Sequence, residues 1–139
     1  MRVYFDSSAL VKRAVGEPES PALLDAIDRY AADKVSLSTS TLGSIELHRA
    51  VRLRLDGESP FEVVRLIEFA LSGLIEYPMT DQVVSLASRL GPLTLRSLDA
   101  IHLATATLLS ADLVCVYDQR LLLAASELGF RTISPGSVA

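Results

Sequence analysis

Short β-prone runs alternate with longer helical segments along this sequence, and no other feature restricts its fold as strongly. The first run, from Arg2 to Phe5, is followed at once by Asp6-Ser-Ser, a sequence that ends a strand and caps a helix. Strands alternating with helices favour a mainly parallel sheet with helices on both faces. We therefore predict an α/β fold whose ligands bind beyond the carboxyl ends of the strands.

The remaining elements follow from period, caps and Gly or Pro stops. The predicted strands are 2–5, 34–38, 74–77, 113–117 and 131–133. The predicted helices are 9–15, 21–32, 41–55, 60–71, 81–90, 97–109 and 118–128. No repeat or linker interrupts the series, so residues 1–139 are predicted to form one domain.

Composition excludes several classes of protein. Half of the 139 residues are hydrophobic, which is enough for a substantial core, while the net charge is −4 and tryptophan is absent. A duplex-wrapping basic surface and a row of base-stacking aromatics are therefore not expected. The single cysteine, Cys115, rules out an intrachain disulfide. Without a run of ~20 apolar residues or a signal peptide, we expect a soluble, cytoplasmic protein.

Two acidic residues directly follow predicted strands. Asp6 comes after the first strand and Asp118 after the strand 113–117. Either carboxylate is a candidate ligand at the carboxyl edge of the sheet. Each is equally well explained as an N-cap of the next helix, a position that Asp favours.

Glu46 lies within a predicted helix. Leu42, Ala50 and Leu53 stand at offsets of −4, +4 and +7, so helical geometry places them on its own face. A carboxylate on an apolar face is costly unless it is paired or binds a metal. Ion pairing with Arg49 is the alternative to a functional role.

Asp99 lies in the first turn of the helix that Ser97 is predicted to cap. The helix dipole stabilises an acid at this position, which is a sufficient structural explanation. The helix continues as Ala-Ile-His-Leu-Ala-Thr-Ala, which is apolar almost all round. A helix of this kind is buried, and its first turn then faces another part of the fold.

Four acids at one sheet edge would repel each other without cations. Oxygen-only ligand sets favour Mg²⁺ or Mn²⁺ over zinc. Such sites commonly cut phosphodiesters, by activating water and screening the scissile phosphate. The sequence thus points to a metal-dependent hydrolase with Asp6, Glu46, Asp99 and Asp118 as site residues.

The other polar residues are weaker candidates. For His102, one turn after Asp99, a hydrogen bond to a site group is one explanation, but a satisfied, partly buried histidine is favoured; His48 is predicted to be solvated. Arg96 and Arg120, next to acids in sequence, would touch substrate or form salt bridges. The remaining basic residues would hold phosphate or balance nearby acids; they are Lys12, Arg13, Arg49, Arg52 and Arg54.

The chain resembles the PIN domain family, specifically the ribonuclease toxins of VapBC toxin–antitoxin pairs. The matching segments occur in order over the whole chain: Val3-Tyr-Phe-Asp-Ser-Ser-Ala-Leu10, Thr39-Ser-Thr-Leu-Gly-Ser-Ile-Glu46, Ser97-Leu-Asp-Ala-Ile-His-Leu-Ala-Thr-Ala106, Val116-Tyr-Asp-Gln-Arg-Leu121 and Leu128-Gly-Phe-Arg-Thr-Ile-Ser-Pro135. Each segment alone is weakly specific, but their common order is more so.

The resemblance implies a parallel sheet on which Asp6, Glu46, Asp99 and Asp118 converge on Mg²⁺ or Mn²⁺. It also implies an RNA substrate, a homodimer and a VapB-like antitoxin whose tail occupies the acidic groove. One position departs from the family, which often has Thr two residues before the fourth acid, where this chain has Val116. That departure predicts a smaller part for Asp118.

The leading hypothesis is endoribonuclease activity, in which Asp6 and Asp99 hold the metal while Glu46 and Asp118 complete its surroundings. A receiver-like phosphoacceptor domain is one alternative, although Asp6 lacks the second acid and late lysine that such domains use. A catalytically inactive PIN-fold interaction protein is the other alternative, and the presence of all four acids argues against it.

Overall fold

Five strands form the centre of the fold in the computed structural model, which describes residues 1–138. They are β1 (Arg2–Phe5), β2 (Ser36–Ser40), β3 (Leu74–Tyr77), β4 (Leu113–Cys115) and β5 (Arg131–Ile133). All neighbours are parallel, in the order β3-β2-β1-β4-β5. The predicted α/β fold with a parallel sheet is therefore confirmed.

β1 is the central strand, and Val3 pairs with Leu37 of β2 on one side and Leu113 of β4 on the other. The chain leaves β1 toward β2 and later returns to add β4 on the opposite side. The strand order thus switches direction next to β1. Loops diverge at such a point and leave a crevice outside the carboxyl ends of the strands.

Seven helices are formed by the described residues: α1 (Ser7–Ala14), α2 (Ser20–Ala32), α3 (Thr41–Arg54), α4 (Pro60–Leu71), α5 (Asp81–Ala87), α6 (Ser97–Leu108) and α7 (Gln119–Glu127). Helices α1–α4 pack with Val3 and Phe5 on one face of the sheet. Helices α6 and α7 pack with Tyr4 and Val114 on the other. Within residues 1–138, no helix is long and apolar enough to cross a membrane.

Side-chain caps define where most of the helices begin. Backbone N–H groups donate to the side chains of Asp6, Ser40, Ser59, Thr80 and Asp118, which precede α1, α3, α4, α5 and α7. Each cap satisfies a donor that the first helical turn would otherwise leave unpaired. The predicted cap at Ser97 is wrong, because α6 begins there after Arg96 without a side-chain cap bond.

Several predicted boundaries differ from the structure by one to three residues, and the structure explains three of these differences. β2 begins at Ser36 rather than at residue 34, because Lys34 has a φ of 56° and the Val35 N–H still bonds to α2. β4 ends at Cys115, since the N–H of Tyr117 donates to Ser8 instead of a strand. α5 ends at Ala87, after which a tight turn leads to Gly91.

The burial of α3 gives a test of the fold. Leu47 is fully buried, whereas Leu53 on the same helix is 81% exposed. Leu47→Ala should lower the free energy of unfolding by about 2–5 kcal/mol, because it leaves a cavity in the core. The matched variant Leu53→Ala should change it by no more than about 0.5 kcal/mol. Equal losses in urea unfolding would show that α3 is oriented differently.

Candidate active site

Asp6 follows β1 and is 2% exposed. Its carboxylate accepts hydrogen bonds from the Ser8 hydroxyl at 2.7 and 2.9 Å and from the Ala9 N–H at 3.1 Å. Burial raises the pKa of Asp6 to about 6, although these bonds and nearby His102 oppose the shift. Among residues 1–138, no basic side chain forms a salt bridge with Asp6.

Ser8 connects the ends of two strands. Its oxygen accepts hydrogen bonds from the backbone N–H of Tyr117 at 2.9 Å and of Asp118 at 3.2 Å, while its proton goes to Asp6. One hydroxyl at the start of α1 thus holds the loop that follows β4. Sequence reasoning missed Ser8, and the only signal for it was a hydroxyl two residues after a strand-end Asp.

Asp118 is exposed and acts as the N-cap of α7, accepting from the N–H groups of Arg120 at 2.8 Å and Leu121 at 3.2 Å. The capping explanation that the sequence left open is therefore correct in this structure. Asp118 also lines an open pocket together with Asp6 and Glu46. The two explanations are compatible, because a cap bond to Oδ1 leaves Oδ2 available.

Glu46, on α3, leaves 30% of its side chain exposed, and its Oε1 is 2.6 Å from Nε2 of His102. The alternative left open from the sequence, an ion pair with Arg49, is not formed, since Glu46 pairs with the histidine instead. The predicted apolar face is also partly wrong. Leu42 is buried, but Leu53 is exposed, so Glu46 lies at the margin of the buried face of α3.

His102 is 3% exposed, and its second ring nitrogen, Nδ1, is 2.7 Å from the hydroxyl of Tyr4. Tyr4 is fully buried on β1. His102 is thus the satisfied, buried histidine favoured from the sequence, and it also reaches a site group, Glu46. Tyr4 was missed, although a Tyr in a buried strand signals that its hydroxyl needs a partner.

Gly43 permits the close approach of α3 to β2 and α6. A Cβ atom at this position would lie 2.5 Å from Oγ1 of Thr39 and 3.6 Å from Cε1 of His102. The first contact is shorter than van der Waals packing allows. The absence of a side chain at Gly43 thus allows α3 to pack closely against β2, beside the imidazole that Glu46 contacts one turn later.

Asp99, in the first turn of α6, is 6% exposed, and its Oδ2 accepts from Nε of Arg120 at 3.0 Å. Arg120, one of the two arginines weighed from sequence, therefore forms a salt bridge. Asp99 does not line the pocket that Asp6, Glu46 and Asp118 share. Nowhere in the described chain do three or more His, Cys, Asp or Glu side chains have the spacing of a metal site.

The chemistry of the donors nevertheless fits a hard divalent cation. The pocket supplies carboxylate oxygens, which Mg²⁺ and Mn²⁺ prefer, and Asp6 is buried there without a cationic partner. To bind such a cation, Asp99 would first have to release Arg120. Because half of the Arg120 side chain is exposed, solvent screens this ion pair and makes it weak.

Arg49 is the basic residue at the pocket. It is exposed and forms no salt bridge with any carboxylate in residues 1–138. Three other basic candidates have structural partners, and Arg52 does not line this pocket. Lys12 pairs with Glu17 and Glu19, Arg54 pairs with Glu17, and Arg13 donates to the carbonyls of Ala70 and Ser72. Arg49 is therefore the cation placed to contact a phosphate beside the acids.

Comparison with known proteins assigns the family. The sequence profile of the PIN domain matches residues 3–127. The chain belongs to the PIN domain family. This PIN domain is 42% identical to ribonuclease VapC47 of Mycobacterium tuberculosis (strain CDC 1551 / Oshkosh) over 138 residues, 98% of each chain. It is 44% identical to ribonuclease VapC46 of strain ATCC 25618 / H37Rv over 136 residues, 96% of this chain and 97% of the relative.

A solved structure supports the fold of this PIN domain. VapBC2 from Rickettsia felis, bound to a DNA fragment from its promoter, aligns with a TM-score of 0.75 over 96% of this chain and 98% of the other. The two sequences are only 12% identical. The agreement therefore concerns the architecture, and the suspected family is confirmed by the sequence relatives.

The bridging role of Ser8 predicts a loss of stability in Ser8→Ala. The variant leaves the N–H groups of Tyr117 and Asp118 without their acceptor and leaves Asp6 with the Ala9 N–H as its remaining donor. We expect the free energy of unfolding to fall by about 1–3 kcal/mol in urea denaturation. Ser7→Ala, at the neighbouring serine of α1, is the control and should cost much less. Equal losses would contradict the bridge.

The raised pKa of Asp6 predicts a pH-dependent stability. Below about pH 4 the carboxyl is neutral in both folded and unfolded chains. Between about pH 4 and 6 only the unfolded chain ionises, so the free energy of unfolding falls as pH rises through the folded pKa of about 6.

Asp6→Asn should remove this dependence while keeping the helix cap. Relative to the wild type, the variant should gain up to about 3 kcal/mol between pH 4 and pH 7. Urea unfolding is measured with a chelator present, because a bound cation would stabilise the charged form. A stability difference that stays constant with pH would contradict the burial effect.

Proposed function

We propose that this PIN domain, comprising residues 1–139, is a Mg²⁺- or Mn²⁺-dependent endoribonuclease and the toxin of a type II toxin–antitoxin pair. The observation that carries the proposal is the pocket at the strand-order switch, where Asp6, Glu46 and Asp118 meet. The relatives at 42% and 44% identity, both named ribonuclease VapC, support RNA as the substrate.

The proposed metal ligands are Asp6, Glu46, Asp99 and Asp118. A divalent cation held by such carboxylates lowers the pKa of water and screens charge on a scissile phosphate. Asp6 contributes a carboxylate that burial makes costly to ionise alone, so cation binding relieves that cost. Asp99 contributes after releasing Arg120, and that exposed guanidinium is then free to pair with RNA phosphate.

The remaining side chains orient the substrate and the acids. Arg49 lines the pocket and contacts the phosphate backbone in this proposal, in keeping with its lack of an acidic partner. Ser8 keeps Asp6 and the start of α7 together. The buried Asp6 and the exposed Asp118 then face a substrate that enters from the open side of the pocket.

We further propose a VapB-like antitoxin as partner and a homodimer as the functional assembly. The antitoxin is supported by the similar fold of VapBC2 from Rickettsia felis. It is also supported by exposed apolar side chains on α3 and α4, since Leu53 is 81% and Phe61 78% exposed. Large apolar side chains exposed in this way are common at protein interfaces. The homodimer follows from the family resemblance.

The two alternatives are less well supported. In a receiver-like phosphoacceptor domain the strands, numbered along the chain, have the order 2-1-3-4-5. In this sheet the order is 3-2-1-4-5. An inactive interaction protein would not need to keep an uncompensated carboxylate buried at the end of its central strand, as Asp6 is here.

The proposal predicts that Asp6→Asn and Asp99→Asn each lower the rate of RNA cleavage by at least about 100-fold, because several kcal/mol of charge stabilisation is lost. Cleavage is measured on RNA with purified protein and Mg²⁺ or Mn²⁺. The control Asp25→Asn changes an exposed carboxylate of α2 and should keep wild-type activity. A chelator should stop the reaction, and added Mn²⁺ should restore it.

Undiminished cleavage by both variants would reject the assignment of the site. A wild-type protein that shows no binding of Mg²⁺ or Mn²⁺ in calorimetric titration would favour the inactive interaction protein.

A further inference from the structure

Three side chains from three separate elements form a continuous hydrogen-bonded row that ends at the pocket. The hydroxyl of Tyr4, on β1, is 2.7 Å from Nδ1 of His102, on α6. Nε2 of the same imidazole is 2.6 Å from Oε1 of Glu46, on α3. Tyr4 is fully buried and His102 almost so, while Glu46 reaches the solvent side of the pocket.

The direction of these bonds follows from which groups have a proton to give. A carboxylate accepts only, so a bare Nε2 at 2.6 Å would face it with two lone pairs and repel it. Nε2 therefore carries a hydrogen. In a neutral imidazole Nδ1 is then bare and needs a donor, which the Tyr4 hydroxyl supplies. Burial raises the pKa of Tyr4 far above its ordinary value, so the phenol keeps its proton.

We propose that Tyr4 and His102 are positioning residues for Glu46: Tyr4 fixes the Nε2–H form of His102, and that N–H holds the Glu46 carboxylate in the pocket. The role assigned to Glu46 rests on the proposed function. Neither Tyr4 nor His102 touches substrate in this proposal. Both act through Glu46, whose flexible side chain would otherwise adopt several rotamers on the half-exposed face of α3.

The packing around the row is consistent with this task. A Cβ atom at Gly43 would lie 3.6 Å from Cε1 of His102, so α3 runs close beside the imidazole. The Tyr4 and His102 rings meet edge to face with centroids 5.9 Å apart. The imidazole is thus restrained by a hydrogen bond at each nitrogen and by contacts along its edge. A histidine with a purely structural role in the core would not need to direct Nε2 at an acid of the pocket.

Nitrogen-15 NMR of the two histidines tests the first half of the proposal. Long-range proton–nitrogen spectra at about pH 8.5, two units above the ordinary pKa of His, distinguish protonated from bare ring nitrogens. His102 should be in the Nε2–H form. His48 is the internal reference, because its Nδ1 lies 2.7 Å from the Ser44 carbonyl and must donate to it. His48→Gln assigns the signals. An Nδ1–H form at His102 in the wild type would overturn the proposal.

Two variants show whether Tyr4 or Glu46 sets the tautomer. In Glu46→Ala the Tyr4 hydroxyl remains, so His102 should keep its proton on Nε2. In Tyr4→Phe combined with Glu46→Ala, both restraints are gone, and the proton should be shared between the ring nitrogens. Loss of the Nε2–H form in Glu46→Ala alone would overturn control by Tyr4. Because Glu46 is half-exposed, Glu46→Ala alone should fold, and its spectrum remains informative if the double variant does not fold.

Mn²⁺ binding, followed by electron paramagnetic resonance, tests the second half. Tyr4→Phe should weaken Mn²⁺ binding roughly 10-fold, as loss of an outer-shell hydrogen bond commonly does. Tyr117→Phe is the matched control, since it removes a partly buried hydroxyl that donates to the Pro135 carbonyl at 2.8 Å and does not contact His102. Equal affinities of Tyr4→Phe and the wild type would overturn positioning of Glu46.

The two proposals fail in different ways. A wild-type protein that binds no Mn²⁺ and cleaves no RNA rejects the proposed function. The nitrogen-15 spectra need neither metal nor RNA, so in that case they still decide whether Tyr4 fixes the His102 tautomer.

Discussion

The hydrogen-bonded ladder of β1 with its two neighbours is the interaction on which the rest of the structure depends. Phe5 pairs with Cys115 of β4, and the Asp6 N–H extends that ladder by donating to the Cys115 carbonyl at 3.2 Å. Asp6 therefore stands at the end of the central strand, beside the chain that leaves β4. A slip of one residue in this register would turn its side chain to the opposite face of the sheet. The hydroxyl of Ser8 joins the start of α1 to the loop that follows β4, next to Asp6.

Three of the proposed site acids, Asp6, Glu46 and Asp99, are each stabilised by a different kind of partner. Asp6 has only neutral donors, Glu46 has an imidazole, and Asp99 has a guanidinium. The neutral donors cannot offset the burial of charge at Asp6, so its pKa rises. Because half of the Arg120 side chain is exposed, it can move aside, whereas the buried imidazole of His102 is held at both ring nitrogens. The site thus combines acids that have fixed partners with one acid, Asp99, whose partner is exchangeable.

Much of this architecture is encoded locally. Strand propensity, capping residues and helical period were sufficient to predict the five strands, the seven helices and the acids at the strand ends, because each signal lies within a few residues. The partner of Glu46 was not predictable in this way, since His102 is 56 positions away in sequence. Helical spacing placed Leu53 on the face of Glu46 but could not tell that this end of α3 is exposed. Contacts between elements decide such points, and one sequence does not contain them explicitly.

Cys115 adds a consequence that concerns dynamics rather than chemistry. Its side chain is 1% exposed within the core on the sheet face that α1–α4 cover, and burial raises the pKa of its thiol far above the ordinary value. Alkylating reagents require an accessible thiolate, so the native molecule shields its only thiol from them. The rate of Cys115 alkylation therefore measures opening events that lift helices from this face of the sheet, and the loss of α1 or α3 from it would dismantle the acidic pocket.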